Sequence, residues 1–418
     1  MTLFRARFVL PLTALAALSF AAADWQQFRG PGGNATSDES GLPGEWSAER
    51  NIVWKTALPG FGAACPITSG DRIYLACYSG YGAGEEGEQA DLLRHVVCLD
   101  RADGAILWDT PLESALPEQE YQSYVALHGY ASHTPVTDGE HVYAFFGKSG
   151  VFCLDRDGRE VWHADVGSST HGFGTAPSPV LHGDLVIVNA SVESGALVGL
   201  NKRTGAEVWR RDGVGSAWNT PILVEVDGGP AELVLARSGA LAAYNPENGE
   251  PLWTCDGADG YICPSPISHD GVVYAVLGNG GMCLAVRAGG RGDVTESHKL
   301  WQIQLSSNVP SPVLHDGYLY CVSDDAMAHC VRAEDGERMY DERLEGAGTV
   351  YASLTAVDGK LYCPTRQNGT FVLAARPEFE VLAHNVIEGD DSVFNASVVV
   401  SDGQLLLRSD RYLYCIGE

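Results

Sequence analysis

Apolar and polar residues alternate in short runs along nearly the whole chain, and no stretch of useful length shows the three-to-four spacing of a helix. The runs come in groups of four, clearest in Ser178-Pro179-Val180-Leu181, 185–189, 196–200 and 206–209, with Gly, Asn and Asp between them. Each group carries a turn glycine, usually after Asp, ahead of its second run: Gly70, Gly139, Gly183, Gly228, Gly271, Gly317, Gly359 and Gly403. Their successive intervals are 69, 44, 45, 43, 46, 42 and 44 residues. Six nearly equal intervals define a structural repeat. The expectation is an all-β, eight-bladed β-propeller of four-stranded antiparallel blades.

The third run of a unit ends in a polar turn that leads to Gly and, four residues on, an aromatic. Examples are Asp100, Gly104 and Trp108; Asn201, Gly205 and Trp209; Asn245, Gly249 and Trp253; and Tyr340 after Gly336. Trp162 follows a turn one residue shorter. An indole at one place in each sheet can pack on the next blade, so Trp54, Trp108, Trp162, Trp209 and Trp253 read as structural. The last unit, 396–416, has only three runs, and residues 51–55 supply the missing fourth. Pairing the two ends closes the ring and removes its open edges. Residues 51–418 then form a single propeller domain, and Gly- and Pro-rich residues 24–50 a strap outside the ring.

This pattern, with Ser-Pro-Val openings at Ser178, Ser265 and Ser311 and the stretch Trp25-Gln26-Gln27-Phe28-Arg29-Gly30-Pro31, resembles the quinoprotein alcohol dehydrogenase-like (PQQ-like) propeller superfamily. That superfamily contains quinone-dependent alcohol dehydrogenases and the non-enzymatic propeller of the outer-membrane protein assembly machinery. The resemblance implies fold; function has to be argued from a site. Enzymatic members hold pyrroloquinoline quinone (PQQ) with stacking aromatics, often an adjacent cysteine pair, and a calcium ion beside a catalytic carboxylate. Here no two cysteines are adjacent and no Cys-x-x-Cys-His offers a haem attachment.

Arg5 and Arg7 precede an apolar run over residues 8–22 that ends in small residues before Asp24, the form of a cleaved signal peptide over residues 1–23. The chain therefore reads as exported, periplasmic or extracellular, without a membrane span. Net charge is −27, or −29 once Arg5 and Arg7 are removed, and such a field repels phosphate backbones, so nucleic acid is not an expected partner. The eleven cysteines follow the repeat: Cys98, Cys153, Cys283, Cys330 and Cys415 in third strands, Cys77, Cys321 and Cys363 in second strands. Periodic cysteines are mostly small packing residues, while hairpin register would let Cys321 face Cys330 in one bridge.

The loop entering the innermost strand and the loop between second and third strands emerge on one face. The two largest insertions, 79–94 and 111–130, both enlarge that face, which marks it as the working surface; ordinary tolerated loop growth is the plainer reading. The repeat brings His128, Lys148, His171, Glu193, Arg237, Asn308, Arg366, Arg408 and Asp410 to this face or its central mouth. His128 and His171, 11 and 12 residues before their turn glycines, either hold a metal or ligand or cap turns. Lys148, Arg366 and Arg408 either bind an anion or are solvated loop charges. Glu193 beside Asn189 is a weak calcium signal. Gly82-Ala83-Gly84-Glu85-Glu86-Gly87 matches a dinucleotide pattern in letters but joins strands, and Arg291-Gly292-Asp293 lies on the opposite face.

The leading expectation is a non-catalytic exported propeller, monomeric and without cofactor, that binds a protein or glycan partner through its insertion-bearing face. The alternatives are a PQQ- and calcium-dependent oxidoreductase acting on alcohols or sugars, and a metal-assisted lyase or hydrolase using His128 and His171.

Overall fold

The computed structural model describes residues 24–258, 260–278 and 281–418; the expected signal segment lies outside them. Eight antiparallel four-stranded sheets follow one another around a ring. Blade 1 is built from Ile67–Ser69, Arg72–Ser79, Leu93–Asp100 and Ile106–Glu113; blades 2 to 7 span residues 136–164, 180–212, 222–258, 267–304, 313–343 and 355–385. Blade 8 combines Val399–Ser401, Gln404–Arg408 and Tyr412–Ile416 with Ile52–Ala57, which pairs antiparallel with Tyr412–Ile416. The ring closes through its two ends, as the missing fourth run required.

Burial explains the pattern of runs. Second and third strands lie between neighbouring blades and are covered on both faces, so Leu185–Ala190 is buried at every residue. Outermost strands alternate, as in Ile52–Ala57. Six of the eight repeat glycines, all but Gly139 and Gly228, sit in two-residue hairpin turns: Asp316 and Gly317, with φ of 48° and 80°, join the paired residues His315 and Tyr318. Two consecutive positive φ values match the twist of the strands and favour Asp-Gly there.

The tryptophans couple consecutive blades. Trp108 donates its indole N–H to Arg156 O at 2.9 Å, Trp162 to Lys202 O at 3.0 Å, and Trp209 to Pro246 O at 3.1 Å. Each ring lies against the turn glycine of the following blade: a Cβ on Gly205 would come within 2.6 Å of Trp162, and one on Gly249 within 2.6 Å of Trp209. Covering about 150–250 Å² of aromatic surface contributes roughly 4–6 kcal/mol per indole before entropy is charged against it. Trp301 does the same for blade 6, donating to Ala333 O at 2.8 Å. The insertion at 287–299 breaks its Gly-to-Trp spacing and hid it from the repeat pattern.

That insertion also explains Arg291-Gly292-Asp293. Gly292–Asp293 adds a short parallel strand to blade 4 beside Trp253 and Thr254, and Arg291 pairs with the buried Glu232 at 2.8 Å. The cysteines need one correction. Register places Cys330 opposite Tyr320 and Cys321 opposite His329, so the two thiols point to opposite faces of the sheet. All eleven cysteines are free.

Residues 24–50 cross the face opposite the insertions. Trp25 exchanges bonds with Thr68 in blade 1 (2.9 Å each way), Gln26 O accepts from Thr137 in blade 2, and Asn34 Oδ1 accepts from Ser268 in blade 5 at 3.1 Å. Arg29, buried, donates to Pro312 O in blade 6. Thr36–Ser37 then pairs parallel with Ala356 and Val357 in blade 7. Between these anchors Phe28 reaches the central channel and forms part of its lining.

Candidate functional site

The residue ahead of each innermost strand builds a belt around the channel. The amide of Thr134 donates to Ser178 Oγ, Ser178 to Thr220 Oγ1, Thr220 to Ser265 Oγ, Ser265 to Ser311 Oγ, Ser311 to Ser353 Oγ and Ser353 to Ser397 Oγ, all at 2.9–3.0 Å. Cys65 donates to Thr134 Oγ1 at 3.0 Å and takes the eighth place. Burial pushes its thiol pKa up, with the Ser397 amide, the Thr134 hydroxyl and Arg408 nearby pulling the other way. The Ser-Pro openings of the repeat are members of this belt. The amide ahead of each first strand has no ladder partner there, and the next blade's hydroxyl satisfies it.

Above the belt the channel forms a cavity of about 330 Å³, with Phe28 below and the 111–130 insertion above. The short helix Val125–His128 lies across the mouth. Leu127 O accepts from Arg366 Nη1 of blade 7 at 3.1 Å and from Asn395 Nδ2 at the entry to blade 8 at 2.8 Å. On the other side Tyr124 meets the Phe173 ring edge-on at 4.7 Å. Phe173 continues into a wall with Trp218 at 5.4 Å and Tyr261 at 5.1 Å between ring centres, and Arg366 stacks over Tyr351 at 4.5 Å. A larger depression of about 620 Å³ lies between the strap and the first strands of blades 3 to 5, where strap and blade edges simply fail to meet.

The nine residues assigned to this face are not gathered into one site. His128 donates from Nε2 to Phe173 O at 2.9 Å and accepts at Nδ1 from Ser132 Oγ at 2.6 Å. Burial lowers its pKa. Both nitrogens are engaged in holding two entry loops together. His171 is exposed, accepts the Phe173 amide at Nδ1 (3.1 Å) and packs edge-on against Phe173 and Trp218. Lys148 donates to Pro117 O at 2.7 Å and Asp410 Oδ1 accepts from Val393 N at 3.1 Å; both secure loops. Arg237 sits on the blade 4 turn and donates only to Ser238 O.

Two candidates are buried instead. Arg408 is fully enclosed, donating to Ala64 O at 2.5 Å and to Cys77 Sγ at 3.4 Å, in space left by Gly62. It bonds blade 8 to blade 1 and offers nothing to an anion. Glu193 is 2% exposed, neither of its carboxyl oxygens has a hydrogen-bond partner, and burial raises its pKa to about 7. Thr175 approaches His133 Nε2 at 3.4 Å, and burial, with Arg94 and His128 nearby, lowers His133 to about 3. Asn189 gives its Nδ2 to Ala217 O and Asn219 O and accepts the Ser191 amide at Oδ1.

Asn308 lines the central pocket, and Arg366 lines a smaller cleft beside it, under the 111–130 insertion. Asn308 donates from its backbone and from Nδ2 to the two oxygens of Asp324, at 3.0 and 2.9 Å. Sequence reasoning missed Asp324, Asn395 and the aromatic wall. Their signal was an aromatic a few residues ahead of each belt hydroxyl: Phe173 before Ser178, Trp218 before Thr220, Tyr261 before Ser265 and Tyr351 before Ser353.

The ring of eight four-stranded blades is a β-propeller. The family profile described as outer membrane protein assembly factor BamB matches residues 47–231, less than half of the chain, and that segment is similar to it. Its fold is similar to that of BamB from Moraxella catarrhalis, with 17% identity over 88% of this chain and 97% of that chain and a TM-score of 0.63. It is likewise similar to the quinohemoprotein alcohol dehydrogenase from Comamonas testosteroni, with 11% identity, 94% and 81% coverage and a TM-score of 0.61. A computationally designed protein, Ika8, shares 12% identity over 88% of this chain and all of its own length, with a TM-score of 0.59. At such identities the likeness is one of fold. No curated protein sequence matches the chain significantly. Among the described residues no helix is long and apolar enough to cross a membrane.

Proposed function

We propose that this protein is an exported, non-catalytic propeller that binds a protein or glycan partner through its insertion-bearing face, with the roofed central pocket as the recognition site. The observation that carries the reading is the 111–130 segment, bonded to Arg366 and Asn395 on one side and packed on Phe173 on the other. It turns a channel mouth into an aromatic-walled pocket in the middle of that face, a concave arrangement suited to recognition. The BamB relatives, whose family is described as an assembly factor, lend support to a protein partner.

Groups that could carry catalysis are committed elsewhere. His128 has no free nitrogen, and burial holds the pocket thiol Cys263 protonated up to about 12. PQQ fits the residues poorly. It carries three carboxylates, whereas among the described residues no Lys or Arg lines the pocket and the Asp324 carboxylate does. Among the described residues no three His, Cys, Asp or Glu side chains converge on a metal position.

The test is an array of glycans and peptides probed with the native protein, with the exposed-residue variant Tyr124→Ala/His171→Ala, and with Arg291→Ala on the opposite face. The expected result is a defined set of ligands retained by the native protein and by Arg291→Ala and lost by the double variant. Retention that ignores the double variant would overturn the assignment of this face.

A further inference from the structure

We propose that the central pocket takes a neutral sugar unit of a glycan, its ring stacked on the Phe173, Trp218 and Tyr261 wall and its hydroxyls bonded to Asn308 and Asn395. The proposal rests on the partner-binding reading and narrows it to one ligand chemistry.

Two side-chain amide oxygens, on Asn308 and Asn395, lack hydrogen-bond donors. Asn308 gives its Nδ2 to Asp324 at 2.9 Å, and Asn395 gives its Nδ2 to Leu127 O at 2.8 Å. Both acceptors are pure oxygens, so each amide can sit only one way round. The Oδ1 atom of each is buried and has no protein partner. Both residues line the pocket. A buried carbonyl oxygen without a donor is unfavourable, so two of them on one cavity call for an occupant that supplies hydrogens. Below them the belt has complementary capacity, because each serine or threonine oxygen accepts an amide and keeps its own hydrogen to give.

Charge then selects among donors. Arg366 stacks on the Tyr351 ring from the adjoining cleft and shares Leu127 O with Asn395, and its positive charge at the pocket's edge disfavours a cation there. An anion would meet two carbonyl oxygens and the Asp324 carboxylate. An apolar ligand would leave both amide oxygens unpaired. A neutral polyol with an apolar ring face answers all three constraints, giving hydroxyl hydrogens to Asn308 and Asn395, accepting from the belt, and laying C–H groups on the aromatic wall. A cavity of about 330 Å³ admits a single ring of this size with solvent, and no folded segment of a protein.

The test is saturation-transfer NMR on the full protein with methyl glycosides of neutral hexoses and N-acetylhexosamines, beside choline and a methyl hexuronide as charged probes. At least one neutral glycoside is expected to bind in the millimolar range normal for a single small ring. Asn395→Ala and Tyr261→Ala are each expected to weaken it roughly tenfold, with thermal unfolding followed to confirm the fold. Tighter binding of choline or the hexuronide than of every neutral glycoside would overturn the proposal, and so would binding of no glycoside. If no glycoside binds while arrayed peptides are still retained through Tyr124 and His171, the sugar assignment alone fails. If nothing depends on this face, the broader reading fails with it.

Discussion

The Trp253 indole donates its N–H to the Glu232 carboxylate at 2.6 Å, whereas Trp108, Trp162, Trp209 and Trp301 give theirs to main-chain carbonyls of the following blade. The exception falls where the 287–299 insertion replaces the ordinary turn of blade 5. Glu232 restores the missing acceptor and also takes the Gly289 amide at 3.1 Å and Arg291 at 2.8 Å. A buried carboxylate thus stands in for a peptide carbonyl where the repeat is broken. Glu232→Ala leaves three donors unanswered and is expected to lower stability by about 3 kcal/mol, while Glu232→Gln, which keeps an acceptor, costs about 1 kcal/mol. Urea unfolding of the two variants checks the difference.

The glycines under the indoles differ from those in the hairpins, and a matched pair of substitutions separates them. Gly249 has a φ of 71° and a Cβ there would lie 2.6 Å from Trp209, so Gly249→Ala combines left-handed strain with a clash. Gly183, at 55°, has nothing within 4 Å and carries the strain alone. The expected losses are about 3 kcal/mol or more for Gly249→Ala and about 1 kcal/mol for Gly183→Ala. Chemical denaturation measures both.

The belt invites a comparison of one loss with one repair. Ser311→Ala strands the Ser265 amide and is expected to cost about 1–2 kcal/mol. Cys65→Ser puts a hydroxyl at the single thiol position and is expected to be neutral or to raise stability by less than about 1 kcal/mol. Equal destabilisation by both would show that the belt bonds do not contribute.

Glu193 and His133 give the protein a pH signature of opposite signs. Burial raises Glu193 from 4.5 to about 7, so the folded chain holds a proton that the unfolded chain releases, and stability is lost as pH rises from about 4.5 to 7. Burial lowers His133 from 6.5 to about 3, so stability is lost as pH falls from about 6.5 to 3. The two oppose each other between about 4.5 and 6.5. Glu193→Gln isolates one of them: it is expected to match the native protein near pH 4.5 and to exceed it by roughly 3 kcal/mol above pH 7. Unfolding free energies at the two pH values decide the point.

Periodic features were legible in the sequence, and features made between blades were not. The ring, its closure through residues 51–55 and the indoles of Trp108, Trp162 and Trp209 recur at fixed spacing, because each blade solves the same burial problem. The Ser-Pro openings at Ser178, Ser265 and Ser311 were visible, but their purpose lies in the neighbouring blade's amide. Arg408 reads as a surface cation by composition; Gly62, Ala64 and Cys77 of blade 1, distant in sequence, make the cavity that encloses it. The aromatic wall escaped notice because Phe173, Trp218, Tyr261 and Tyr351 stand at unequal distances from their belt residues. Cys321 and Cys330 looked opposed until a one-residue register difference turned them apart.

The central claim is that the channel recognises a partner and does not host a quinone. Calorimetric titration of the protein with PQQ in the presence of calcium tests it most directly. No stoichiometric heat of binding is expected, because three carboxylates would meet the Asp324 carboxylate and, among the described residues lining the pocket, no Lys or Arg to balance them. One-to-one binding at micromolar concentration or tighter would contradict it and make the pocket a cofactor site.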